Sequence, residues 1–241
     1  MNIVLCQNMP PTADAIESYS PFCLKVHRAL AAASLPYTTR NESRPDKFKA
    51  HNPVGQVPVL IVDGEAIADS TRIVKKIAAL APHAFVTSDE AWLWEDFADT
   101  SLNGYLVAAR WADDRNWPLV RAEYFKTMPA IIRKLIVPKL RKKVQTALFY
   151  RDVTRAGTDY LWERFDASLD QLDARAPATG YWVGEHLSIA DIAIFAQLHS
   201  LRASLTPPQR AAIAQRRALT AYLNRVDTST ACHPTRLHAA A

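Results

Sequence analysis

The chain opens on a short apolar run, Ile3-Val4-Leu5-Cys6, held between polar Asn2 and polar Gln7 and Asn8. Such a run, bounded by polar residues, predicts a buried strand. A polar stretch over residues 8–18 follows, then a helix from Pro21 to about Ser34. Leu35-Pro36-Tyr37-Thr38-Thr39 reads as a second strand and residues 46–50 as a short helix. Apolar segments at 57–62 and 65–68 flank Asp63-Gly64, a strong signal for a two-residue hairpin. In residues 70–80, Ile73, Val74, Ile77 and Leu80 recur on one helical face. The resulting order, β-α-β-α-β-β-α, is that of a thioredoxin-like domain. Ala81-Pro82-His83 ends the last of these helices, and the residues up to 88 read as a linker. Beyond it every segment has helical character. Helices are expected over 89–112, 118–150 with breaks near Pro129 and Pro138, 157–175, 188–204 and 207–226, with the last dozen residues frayed. The predicted fold is an α/β thioredoxin-like N-terminal domain over residues 1–81 plus an all-α C-terminal helical bundle domain over 88–241.

Composition adds constraints rather than a new picture. With 241 residues, 49% of them hydrophobic and 22% charged, the chain belongs to the ordinary globular class and can bury a substantial core. No apolar run approaches the roughly 20 residues needed to span a bilayer. The first 20 residues contain Asp14 and Glu17 and no basic stretch, so a signal peptide is not expected. Three scattered cysteines, Cys6, Cys23 and Cys232, suggest a reducing compartment, so a cytoplasmic protein is expected. Dinucleotide and P-loop glycine motifs do not occur, and the histidines show no metal-ligand spacing, so no metal is expected. The net charge of +5 is local: residues 121–155 hold ten bases against Glu123 and Asp152, and the rest of the chain is slightly acidic.

The chemistry concentrates at Tyr19-Ser20-Pro21-Phe22-Cys23, at the expected strand-to-helix turn. Redox proteins of the thioredoxin type carry Cys-x-x-Cys there, with the first cysteine as nucleophile. Ser20 occupies that first position and only Cys23 remains. A serine cannot exchange disulfides, but its hydroxyl can donate to the thiolate of a bound thiol. Ser20 before Pro21 is equally a good N-cap, and a hydroxyl can accept from a helix amide while donating outward. Val57-Pro58 stands at the mouth of a strand, where a proline cannot join the ladder. Asp69-Ser70 opens the helix at 70–80, where free amides and a hydroxyl suit a carboxylate or simply cap the helix.

Together these segments resemble the glutathione transferase superfamily. Ser20-Pro21-Phe22 is similar to its Ser-Pro-Phe turn, Val57-Pro58 to its cis-proline strand, and Asp69-Ser70 to its acidic-Ser pair. Leu187-Ser188-Ile189-Ala190-Asp191-Ile192 is a capping box with a Leu187/Ile192 staple, similar to the one opening the family's core helix. The region from Gly157 to Asp191 resembles the metaxin and failed-axon-connections branch. Two features depart from the family pattern: the long loop over residues 7–19 and the basic insert over 121–155. The loop leaves open whether Ser20, Ser18, Tyr19 or Glu17 meets the thiol.

The resemblance implies glutathione as co-substrate, bound by Gln56, Val57, Pro58, Asp69 and Ser70, with Ser20 as the catalytic hydroxyl. It also implies a homodimer and a small electrophilic, apolar substrate, as in detoxification. Tyr105, Arg110 and Trp111, with Trp117 and Tyr124, form an aromatic cluster that serves either this substrate or internal packing. A scaffold that keeps the fold without turnover is the alternative function, and a thiol-transferase using Cys23 a third. The basic segment around residues 131–143 reads as a solvated helix face, a site for anionic substrates or acidic lipid, or, with no accompanying motif, a nucleic-acid surface. Neither nucleic-acid binding nor stable membrane insertion is expected.

Overall fold

The computed structural model describes residues 1–11, 14 and 16–231. Cys232 and most of the expected C-terminal fray lie outside the described residues. The chain divides into two compact units. The first comprises residues 1–99 and 177–196 with the chain from 221, and the second residues 100–176 and 197–220.

The first unit is built on four strands: β1 (Ile3–Asn8), β2 (Thr38–Glu42), β3 (Val59–Val62) and β4 (Glu65–Ala68). Their order is β2-β1-β3-β4, with β1 parallel to β2 and antiparallel to β3. Helices α1 (Pro21–Ala32) and α2 (Ser70–Leu80) bury Leu24, Leu30, Ile73, Val74 and Ile77 along with Ile3, Leu5 and Leu60 of the sheet. Asp63 and Gly64 both take positive φ, 48° and 92°, and close the two-residue hairpin that pairs Val62 with Glu65.

The second strand starts later than its apolar pattern suggests. Helix α1 ends in a Schellman turn, with Ser34 at φ 52°, its amide on the Ala31 carbonyl at 2.9 Å, and the Leu35 amide on the Leu30 carbonyl at 3.1 Å. That turn uses the residues before Pro36, which has no amide to give a ladder, so pairing begins at Thr38.

Beyond α2 the structure is helical: α3 (Asp89–Phe97), a π-turn (Ala98–Leu102), α4 (Asn103–Trp111), α5 (Trp117–Tyr124), α6 (Ala130–Tyr150), α7 (Thr158–Arg175), α8 (Ile189–Leu201), α9 (Pro207–Ala214) and α10 (Arg217–Ser229). Two expectations are corrected. Pro138 does not break α6, because it stands on the exposed side, where water can serve the carbonyl that loses its partner. The helix expected over 207–226 is two helices, because Asp173 of α7 accepts the Leu219 amide at 2.7 Å and caps a new start. The Ser188/Asp191 box forms, with Asp191 as its hub. This buried carboxylate accepts the Ser188 amide and hydroxyl at 2.8 and 2.5 Å, the Trp182 amide at 2.7 Å and the Tyr222 hydroxyl at 2.6 Å. No helix among the described residues is long and apolar enough to cross a membrane.

A buried polar chain ties the long N-terminal loop to α1. Gln7 donates to the Glu17 carbonyl at 3.4 Å and to Asn41 at 3.1 Å, which turns its carbonyl toward His27 Nε2 at 2.9 Å. His27 Nδ1 lies 2.6 Å from the Tyr37 hydroxyl, which donates to it when the ring is neutral. Arg28 adds ion pairs to Glu17 at 3.2 Å and Asp227 at 2.7 Å.

Burial holds the His27 pKa down from 6.5 to about 4, with Arg28 acting in the same direction and Glu17 against it. At neutral pH both folded and unfolded forms carry a neutral ring, and nothing is lost. As pH falls through 6.5, the unfolded chain binds a proton that the fold refuses until about pH 4, so stability declines across that window. Between pH 6.5 and 5 the expected loss is about 2 kcal/mol, and His27→Gln should flatten this part of the urea-midpoint profile. An unchanged acid limb in that variant would assign the decline to other groups.

Candidate functional site

Strand register assembles the site. Cys6 of β1 lies opposite Val59 of β3, and Val59 lies opposite Ala68 of β4. One end of the sheet therefore carries the exit from β1 toward Ser20, the entry into β3 at Pro58, and the exit from β4 at Asp69. The three sequence motifs, separated by up to 49 positions, meet at this end because the ladder sets their alignment.

Ser20 is the N-cap of α1, at φ −79° and ψ 116°. Its Oγ accepts the Cys23 amide at 3.3 Å, its carbonyl accepts the Leu24 amide at 2.9 Å, and its own amide donates to Ser18 Oγ at 3.2 Å. Ser18 is buried, while Ser20 is half-buried and reaches solvent. Tyr19 is also half-buried, and its hydroxyl donates to Asp14 at 3.1 Å. Of the loop candidates, Ser18 supports the turn and Glu17 is held by Arg28.

Cys23 is fully buried against both serine hydroxyls, and burial pushes its pKa up to about 12. Cys6 is pushed up to about 11 for the same reason. Almost no thiolate exists at either position at neutral pH, which removes the physical basis for a Cys23 nucleophile. A protonated Cys23 can donate to a serine oxygen, leaving the single proton of Ser20 for an outside acceptor.

At the second point the Val57–Pro58 peptide is cis. Pro58 is buried, Val57 half-buried and Gln56 exposed. Asn52, for which sequence reasoning found no role, shapes this loop: its side chain donates to the Gln56 carbonyl at 2.9 Å and accepts the Val54 amide at 3.2 Å. The signal was an Asn two residues before an open amide, a common turn device.

At the third point Asp69 caps α2, accepting the Arg72 amide at 3.0 Å, with its backbone at φ 77° and ψ 127°. A non-glycine residue held there stores about 1–3 kcal/mol of strain. Ser70 beside it is buried.

A buried charge cluster braces these helix ends. Lys25 of α1 is fully buried and bonds Glu95 at 2.6 Å and also Asp99. Thr71, next to Ser70, donates to the same Glu95 oxygen at 2.6 Å. No local pattern marks Lys25 as buried, because its partners lie 70 and 74 positions away.

In the second unit the aromatic cluster is partly assembled. Trp111 packs on Trp117, Tyr124 and Phe125 with ring centroids 5.7, 6.0 and 6.2 Å apart. Arg110 is buried, donates to the Ser200 carbonyl at 2.9 Å and lies against Tyr124. Tyr105 is buried apart from this group, against Phe165 and Ser168. Of the three, Trp111 alone keeps part of its surface open. No group of three or more metal-binding side chains forms among the described residues.

Two family patterns match the chain: the N-terminal domain of glutathione S-transferase over residues 19–80, and its C-terminal domain over residues 107–225. No curated protein sequence matches it. Among solved structures, a possible glutathione S-transferase from Rhodopseudomonas palustris is similar at 22% identity and TM-score 0.58, over 95% of each chain. A glutathione S-transferase from Pseudomonas fluorescens aligns at 21% identity and TM-score 0.57, over 99% of this chain and 98% of its own. One from Methylobacterium radiotolerans, in complex with glutathione sulfonate, aligns over the whole of both chains at 16% identity and TM-score 0.58.

Proposed function

The chain belongs to the glutathione S-transferase superfamily, and on that premise we propose that it binds glutathione and conjugates its thiolate to a small, largely apolar electrophile. The observation that carries this reading is the register Cys6–Val59–Ala68, which gathers a hydroxyl-capped helix start, a proline-ended strand and a second capped helix start at one sheet end. Ser20 donates to the cysteinyl sulfur. The Val57 backbone, flanked by Gln56 and Pro58, pairs with the cysteinyl main chain. Asp69 and Ser70, at the opening of α2, hold the γ-glutamyl end, whose ammonium suits the Asp69 carboxylate and whose carboxylate suits the helix amides.

The thiolate then attacks an electrophilic carbon, and the leaving group departs with the electron pair of the broken bond. Trp111, with Tyr105 and Arg110 supporting the surrounding helices, contributes to the apolar substrate's pocket. In this reading residues 1–81 form the glutathione-binding domain and 88–241 the helical one. The protein works in the cytoplasm as a homodimer, in detoxification chemistry of the Ser-Pro-Phe type.

Titration calorimetry with glutathione, paired with a conjugation assay on an activated aryl halide, tests the proposal. Heat on binding together with product supports it, whereas heat without product supports the scaffold reading. No heat at millimolar glutathione defeats the enzyme reading and likewise supports the scaffold. Asp69→Gly sharpens the result. Glycine relieves the positive φ and loses only a few tenths of a kcal/mol of capping, so the melting temperature should hold or rise. Glutathione affinity should nevertheless fall about tenfold, as one charge-assisted hydrogen bond is lost. Unchanged affinity would remove Asp69 from the site.

A further inference from the structure

Helix α6 (Ala130–Tyr150) has two apolar stripes, and the second unit covers only one. On the inner side Val137 and Leu148 are buried, and Arg141 and Gln145 donate to the Trp111 carbonyl at 2.9 and 3.2 Å. The Arg141 guanidinium also stacks 4.5 Å over Trp117. These residues recur at helical spacing and pin one face. The opposite face is open. Ile131 is 77% exposed, Leu135 64%, Ile136 49% and Ile132 44%, and at the far end Tyr150 is 79% and Phe149 46% exposed. Between the two apolar ends lie Lys139, Lys142 and Lys143, all exposed. Over the whole helix six cations stand without a single acidic residue.

We propose that this face of α6 docks on an anionic phospholipid surface. Four aliphatic side chains held in water have no structural use, and contiguous exposed apolar groups mark a contact surface. The lysines identify the partner by charge. A second copy of this chain would set lysine against lysine across a two-fold axis, whereas an anionic leaflet attracts every one of them. Their long stems let the ammonium groups reach the phosphates while Ile131 and Leu135 enter the acyl boundary, and Tyr150 suits the headgroup level. A helix of this length offers a strip about 30 Å long, which fits a surface rather than a small ligand. The attachment is peripheral, since no helix among the described residues can span a bilayer.

Co-sedimentation of the whole protein with vesicles tests this. Binding is expected to phosphatidylcholine vesicles containing about 30% phosphatidylserine and not to phosphatidylcholine alone, and it should weaken at about 0.5 M salt. Lys139→Gln/Lys142→Gln/Lys143→Gln should lower the affinity about 100-fold, near fivefold per lysine. Ile131→Ser/Leu135→Ser should lower it about tenfold. Far-ultraviolet circular dichroism confirms that each variant is folded. No binding to anionic vesicles overturns the proposal, as does equal binding to zwitterionic ones or indifference to the lysine variant. A dimer that becomes a monomer in the Ile131→Ser/Leu135→Ser variant would assign the face to a second copy instead. Binding to an acidic protein without vesicle binding would assign it to a protein partner.

Discussion

Lys25→Met should lower the stability of the fold by about 3–5 kcal/mol, read as a fall in the urea midpoint. Methionine matches the aliphatic stem, so the core keeps its packing and the loss is electrostatic. Lys25 is fully buried and is shared by Glu95 and Asp99, whose side chains are themselves 5% and 14% exposed. Removing the ammonium leaves two carboxylates close together in a site that water hardly reaches. Adding Glu95→Gln to the variant removes one of those charges and should recover part of the loss. The damage should reach glutathione binding too, because Glu95 also accepts from Thr71 at the start of α2, beside Ser70. A change below about 1 kcal/mol in Lys25→Met would show that the cluster contributes little beyond its packing.

Ser20→Ala should raise the pKa of bound glutathione by one to two units and lower kcat/KM at pH 6.5 by up to about 100-fold. Bringing a thiol from an ordinary pKa near 8.5 to about 6.5 requires about 2.7 kcal/mol of preference for the thiolate. A hydrogen bond to a charged group supplies about 1.5–3 kcal/mol, and the start of a helix adds about 0.3–1 kcal/mol. The hydroxyl is thus the larger part, and alanine removes it while leaving the helix start in place. Stability should fall by only about 1 kcal/mol, through the lost cap on the Cys23 amide at 3.3 Å. Near full stability with a collapsed rate at pH 6.5 that recovers toward pH 9 would be the signature of thiol activation. An unchanged pH profile would mean that another group, Tyr19 among the candidates, faces the sulfur.

Much of the frame was legible because it depends on short-range chemistry. Asp63-Gly64 folds into its hairpin because both residues accept positive φ, and α2 spans residues 70–80 because its apolar spacing and the Asp69 cap agree. Ser20 before Pro21 marks the start of α1 for the same local reason. The misplaced boundaries have other causes. The Schellman turn at Ser34 delays β2, a solvent-facing Pro138 leaves α6 whole, and a carboxylate 46 residues upstream starts α10. Each depends on what surrounds the segment, which a local pattern does not contain.

The candidate site divides along the same line. The chain by itself determined which residue types could serve a tripeptide thiol, and that Ser20 stands where a redox cysteine would be, because identity and neighbours decide those properties. Only the tertiary structure decided that the three motifs share one sheet end, since a strand ladder must align Cys6, Val59 and Ala68. It alone also sealed Cys23 as a protonated thiol and sank Lys25 between two carboxylates. Desolvation and charge pairing depend on atoms brought together from distant parts of the chain, and those distances come into being only when it folds.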